Sequence, residues 1–217
     1  MTGPILVINP NSNQAVTDGL DRALAPFRAA GPAIECLTLA EGPFGIESQR
    51  DSDAVIGPLA ALVAARGDAS AHVIACYSDP GLETCREIAA APVFGIQDCA
   101  ILTALARADR IGIIGLSAAA ALRHRRYMRR MGVLDRVVGE RAVDLSVADS
   151  ATGADTPDRL AEAGAALMRD GAEAIVLGCA GMAPHCAALE RRLGVPVIEP
   201  VMSAVAMALG TVLAAGG

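Results

Sequence analysis

Lysine is absent from the 217 residues: all 18 cationic side chains are arginines. That omission excludes two large enzyme classes. A pyridoxal phosphate enzyme holds its cofactor as a Schiff base on lysine, and a Walker A loop places lysine on the phosphates. Tryptophan is also missing, and two Tyr and three Phe are the only aromatic residues, too few for a platform on which nucleobases stack. A net charge of −6 further disfavours a nucleic-acid partner, because phosphate neutralisation drives such binding. Hydrophobic residues make up 53% of the chain, yet they fall in short runs, none near the ~18–20 residues of a membrane span. No C-x2-C pair occurs, and Cys179, His185 and Cys186 form no common zinc spacing. No metal site is expected. Six cysteines without a close-spaced framework, behind an opening Met1-Thr2-Gly3-Pro4 that carries no basic leader, read as reduced thiols of a cytoplasmic protein.

What the chain does contain is a repeat. Residues 71–85 read A-H-V-I-A-C-Y-S-D-P-G-L-E-T-C, and residues 172–186 read A-E-A-I-V-L-G-C-A-G-M-A-P-H-C. Each is an apolar run, a cysteine, small turn-forming residues, then a helical pattern with a second cysteine. Cys179 follows Cys76 by 103 residues, and Pro92-Val93 and Pro196-Val197 follow those cysteines by 16 and 17. Upstream, the apolar run before Asn9 and Ser12 resembles the run before Gly115 and Ser117 at an offset near 105. A duplicated half-chain is the simplest explanation.

Continuous apolar stretches, suited to parallel strands covered on both faces, fall at 5–9, 34–39, 73–76, 93–96, 111–116, 142–145, 174–177 and 195–198. Helical periodicity fills the intervals at 16–29, 53–65, 82–90, 99–108, 118–131, 157–170 and 183–193, with a last helix at 204–214. The alternation predicts an α/β fold of two pseudo-symmetric lobes, each a parallel sheet flanked by helices. The expected lobes are 1–98 plus 200–217 and 99–199, with the active site in the cleft between them.

In open α/β sheets, ligands sit beyond the carboxyl ends of the strands. Four loops qualify: 9–13, 76–81, 115–118 and 178–182. Cys76 and Cys179 stand there at equivalent places, before a turn into a helix, where free N–H groups and the helix dipole lower a thiol's pKa from about 8.5 toward neutrality. Both are therefore candidate catalytic residues, whereas Cys36, Cys85, Cys99 and Cys186 read as packing residues. Asn9, Asn11 and Ser12 in the first loop, and Ser117 in the third, suit either helix capping or a ligand oxygen. The loop 42–50, with Phe44, Gly45 and Ile46, is a candidate lid. His72 and His124 read as structural or surface histidines, and the basic run 123–130 as a solvated helix face or subunit contact. A small-molecule binding module with the same cleft would have no need for two matched thiols.

The segments I-L-V-I-N-P-N-S at 5–12, A-C-Y-S-D-P-G-L at 75–82 and A-E-A-I-V-L-G-C-A-G-M at 172–182 resemble the hydantoin and allantoin racemases of the aspartate/glutamate racemase superfamily, over nearly the whole chain. The resemblance implies that each lobe gives one cysteine, Cys76 and Cys179, to a cofactor-free and metal-free inversion of an acidic carbon. It further implies that backbone around Tyr77, Ser78 and Asp79, and around Gly178, Ala180, Gly181 and Met182, binds the substrate with help from Asn11 and Ser117. Acidic amino-acid racemases usually follow their cysteines with Asn or Thr. Here Tyr77 and Ala180 follow instead, and Asp79 is expected to repel a carboxylate, which favours a neutral ring. Threonines often found after the strand at 111–114 are replaced by Gly115-Leu116. Acidic amino-acid racemases, maleate isomerases and arylmalonate decarboxylases remain alternatives within the superfamily. The expected partners are a small-molecule substrate and further copies of the chain in a homo-oligomer, with no nucleic acid and no membrane.

Overall fold

A computed structural model describes residues 3–29 and 31–215. Met1-Thr2, and with it the reading of the leader and the extreme ends of the first expected lobe, lie outside these. The strands are β1 (Ile5–Asn9), β2 (Ile34–Thr38), β3 (Ala71–Ile74), β4 (Val93–Gly95), β5 (Ile111–Gly115), β6 (Val137–Ala142), β7 (Ala174–Leu177) and β8 (Val197–Ile198). The α-helices are α1 (Gln14–Ala23), α2 (Gln49–Ala54), α3 (Ile56–Ala65), α4 (Leu82–Ile88), α5 (Ile96–Leu105), α6 (Ala118–Met131), α7 (Asp149–Thr152), α8 (Thr156–Arg169), α9 (Cys186–Leu193) and α10 (Pro200–Ala215). They build two four-stranded parallel sheets of the same order, β2-β1-β3-β4 and β6-β5-β7-β8.

The central strands follow directly from their sequences. Every residue of β1, β3, β5 and β7 is buried, as continuous apolar runs between two helical layers require. Edge strand β6 differs: its sequence V-V-G-E-R-A is half-buried and polar, so apolar continuity placed a strand at 142–145, beyond the true one. Helix α5 begins at Ile96, three residues before the expected start. The expected helix 183–193 divides into a 3-10 segment, Ala180–His185, and α9, because Pro184 lies inside the first part and its ring cannot continue an α-helical ladder.

One core cluster takes side chains from both sheets, among them Ile5 and Val7 of β1, Ile111 and Ile113 of β5, and Val201 and Val205 of α10. Helices α5 and α10 pack on each other and cross over between the sheets. Helix α5 leaves β4 of the first sheet and packs on β7 and β8 of the second; α10 leaves β8 and packs on β1, β3 and β4. This exchange brings the carboxyl ends of β3 and β7 to a common cavity.

Candidate active site

Cys76 lies two residues beyond the end of β3, and Cys179 two beyond the end of β7. The turns repeat each other: Asp79 N–H donates to Cys76 O at 2.9 Å, and Met182 N–H donates to Cys179 O at 3.1 Å. In each, the amide two residues on faces the sulfur. Gly181 N–H donates to Cys179 Sγ at 3.3 Å, and the Ser78 amide lies close enough to Cys76 to favour its thiolate. Both sulfurs line one small cavity of about 50 Å³, with Tyr77, Ser78, Ala180 and Gly181 in its wall. At ~10–15 Å³ per water centre, that is room for only a few water molecules.

The thiols are not the low-pKa groups their turns suggest. Burial pushes Cys76 up to about 12, the neighbouring Cys179 and Asp79 add to the rise, and only the Ser78 amide and the Arg123 guanidinium oppose it. Cys179 is raised too, again by burial, but here the Gly181 amide, the Ser150 hydroxyl and the Met182 amide all favour the thiolate. Ser150 is fully buried, and its one hydroxyl hydrogen has two acceptors in reach, Val147 O at 2.7 Å and, once the thiolate forms, Cys179 Sγ at 3.7 Å. Gly181 makes this packing possible, since a Cβ there would run into the Ser150 hydroxyl. Among the described residues, no group of three or more His, Cys, Asp or Glu is arranged to hold a metal ion.

The wall opposite the cysteine turns includes the N-terminal half of α6, which presents Ala120, Arg123 and His124. His124 Nδ1 is 2.7 Å from Glu140 Oε1, with both side chains nearly inaccessible at 3% and 6%. A carboxylate can only accept, so Nδ1 carries the proton and Nε2 faces Ser78 Oγ at 3.4 Å. The Tyr77 ring meets the imidazole edge-on, centroids 4.9 Å apart. Gly115 leaves the space that the Glu140 carboxylate fills. His124 is thus buried and braces the turn after Cys76, not an incidental or surface histidine.

A model of the Asp/Glu/hydantoin racemase family matches residues 5–208. The chain belongs to that family. It is 36% identical over 221 residues to a hydantoin racemase from Rhizobium meliloti, covering 94% of this chain and 86% of the relative. A hydantoin racemase from Paenarthrobacter aurescens is 33% identical over 207 residues, covering 92% and 87%. Among solved structures, an allantoin racemase from Klebsiella pneumoniae superposes with a TM-score of 0.91 at 32% identity, covering 99% of this chain and 89% of that one. The protein is therefore an enzyme of the racemase, or isomerase, class, with the α/β fold of its relatives.

Within this racemase-family fold, the residues singled out in the sequence divide. Cys76, Cys179, Asn11, Ile46, Tyr77 and Ser78 line the cavity, as do Gly178, Ala180 and Gly181. The others have different tasks. Asn9 is fully buried, and its amide nitrogen donates to Asn11 Oδ1, Asn13 O and Thr17 Oγ1, which orders the first loop rather than reaching a ligand. Ser12 is absent from the cavity wall; its N–H donates to Pro43 O at 2.9 Å and fastens the lid segment to that loop. Ser117 caps α6 by accepting from Ala120 N–H at 3.2 Å. Phe44 points outward, 67% exposed, and Gly45 rests on Val147 outside the lining. Met182 is buried in the core of the second sheet.

Asp79 is the clearest correction. Its carboxylate turns away from the cavity and accepts from Gln97 N–H and Asp98 N–H at 3.0 and 2.9 Å, capping α5. It therefore does not meet a ligand in the cavity directly, although its charge still helps to raise Cys76. Residues missed by sequence reasoning are Arg123, His124, Glu140, Val147 and Ser150. For the first two a signal existed: Ala120, Arg123, His124 and Tyr127 share one helix face by their spacing. Glu140 and Ser150 reach the site through tertiary packing alone.

Proposed function

We propose that the enzyme is a cofactor-independent racemase that inverts the acidic carbon of a 5-substituted hydantoin or of allantoin, with Cys76 and Cys179 as its two proton-transfer groups. In this reading the first lobe, 1–98 plus 200–217, and the second, 99–199, give one sulfur each. The observation that carries it is the pair of matched cysteine turns lining one cavity. One sulfur, as thiolate, takes the proton from the ring carbon; the C–H electron pair moves into the adjacent carbonyl as an enolate. The other sulfur, as thiol, returns a proton to the opposite face, and the protonation states are exchanged at the end of the turnover. The three donors around Cys179 favour it as the thiolate of the resting pair.

The enolate oxygen needs hydrogen-bond donors aimed at it. The amides at positions 78, 79, 181 and 182 are engaged within the two turns. Those of Tyr77 and Ala180 make no hydrogen bond among the described residues, and the reading assigns them to the ring carbonyls. Loss of optical rotation tests it. Single enantiomers of 5-isobutylhydantoin and allantoin are expected to racemise, with free aspartate and glutamate turned over at least about tenfold more slowly. Efficient racemisation of the amino acids, with every hydantoin ignored, would overturn the substrate assignment.

A further inference from the structure

The cavity that holds the two sulfurs is too small for a substituted ring with its side chain. A second recess of about 490 Å³ adjoins it, and the two share Ser78 and Arg123 as their common wall. The recess also takes Arg126 and Arg130 from the next turns of α6, which draws three arginines of the basic run 123–130 to one wall. The acids facing it are already engaged. Asp79 caps α5, Asp53 accepts from Gln49 Nε2 at 2.8 Å, and Glu83 lies between Arg86 and Arg130 at 4.0 and 3.8 Å. Arg123 and Arg126 make no ion pair among the described residues. The guanidinium of Arg123 reaches only carbonyls, Glu47 O at 3.2 Å and Ala119 O at 3.4 Å, while its buried Nε has no partner.

A guanidinium with unused donors, set between the reaction cavity and a recess that also holds the unpaired Arg126, matches a planar carboxylate. We propose that this recess is the subsite for the C5 substituent, and that Arg123 selects hydantoins whose substituent ends in a carboxylate. The proposal rests on the racemase reading for the ring and adds the chemistry of its side chain. With Asp79 bound to the α5 amides and Glu83 beside Arg86 and Arg130, Arg123 and Arg126 are the cationic groups of the recess left without an ionic partner among the described residues.

The test compares the enantiomers of 5-carboxymethylhydantoin with those of 5-isobutylhydantoin, by kcat/KM, in the unmodified enzyme and in Arg123→Gln and Arg123→Lys. The unmodified enzyme is expected to prefer the acid. Arg123→Gln should lower the acid-to-neutral ratio by about tenfold or more, the scale of a hydrogen bond to a charged group, chiefly through KM for the acid. Arg123→Lys should fall between, since an ammonium keeps the charge but loses the fork. A ratio unchanged within about twofold, or an unmodified enzyme that prefers the isobutyl compound, would overturn the subsite. Calorimetric titration with the racemic acid separates the two readings. Binding that weakens in Arg123→Gln without any turnover would keep the subsite and remove the racemase chemistry; absent or Arg123-independent binding removes the subsite.

Discussion

At the scale of single residues, the two sulfurs differ in how many donors offset the desolvation that raises both. Cys76, pushed up to about 12 with one amide and the Arg123 guanidinium in its favour, is the thiol of the resting pair in the proposed mechanism and becomes the thiolate after it has given its proton to the carbon. Cys179 is raised as well, but two amides and the Ser150 hydroxyl favour its thiolate, which makes it the resting base of the proposed mechanism. The sign follows: a base must be deprotonated, and burial has raised its pKa above the ordinary thiol value, so kcat/KM in the free enzyme should climb with pH on the alkaline side of neutrality. Ser150→Ala removes one donor to the thiolate and should move that rising limb to higher pH, with activity at neutral pH lower by up to about tenfold. A pH–rate profile of the variant checks this; a limb that stays in place or moves down would contradict the assignment. The cysteines themselves were legible in the sequence because the duplication marked them. Their high pKa values were not, because turn chemistry is local while desolvation depends on every element packed around the sulfur.

At the scale of elements, the duplication is kept in the strands and altered in the details that hold them. Helices α5 and α10 follow equivalent strands, and each has its N-terminus capped by a buried carboxylate. Asp79 reaches Gln97 and Asp98 N–H from a distant turn, whereas Glu199 takes Val201 and Met202 N–H from the residue just before its own helix. Sequence reading could find the second kind of cap and not the first, whose partners lie 18 and 19 residues away. Edge strand β6 escaped for a related reason: its Glu140 faces the site, so the strand carries polar residues where apolar continuity was sought. Burial raises both capping carboxylates to about 7. Raised folded-state values mean the native protein binds more protons than the unfolded chain between about pH 4 and 7, so these two groups make stability decline as pH rises through that window. Thermal midpoints measured from pH 5 to 8 should show the decline, and Asp79→Asn should flatten it. An unchanged slope in the variant would show that Asp79 does not titrate there.

At the scale of the whole molecule, two sheets of one topology exchange their last helices, and that exchange sets equivalent strand ends around a single cavity. The loop 42–50 borders it, with Ile46 in the wall, Pro43 tied to Ser12, and Glu47 O accepting from Arg123. The alternation of apolar and helical stretches was enough to foresee two parallel sheets and a shared cleft. The opposing wall from α6 was not foreseen, because its residues become functional only when the second lobe folds against the first. The central claim is that Cys76 and Cys179 work on opposite faces of one carbon. Proton exchange at C5 in deuterium oxide, followed separately for each enantiomer in Cys76→Ala and Cys179→Ala, tests it most directly. Racemisation should fall by about 10² to 10⁴-fold in both variants, while each still exchanges the C5 proton of one enantiomer, and the two variants choose opposite enantiomers. Undiminished racemisation in either variant, or exchange of the same enantiomer by both, would contradict the two-faced mechanism.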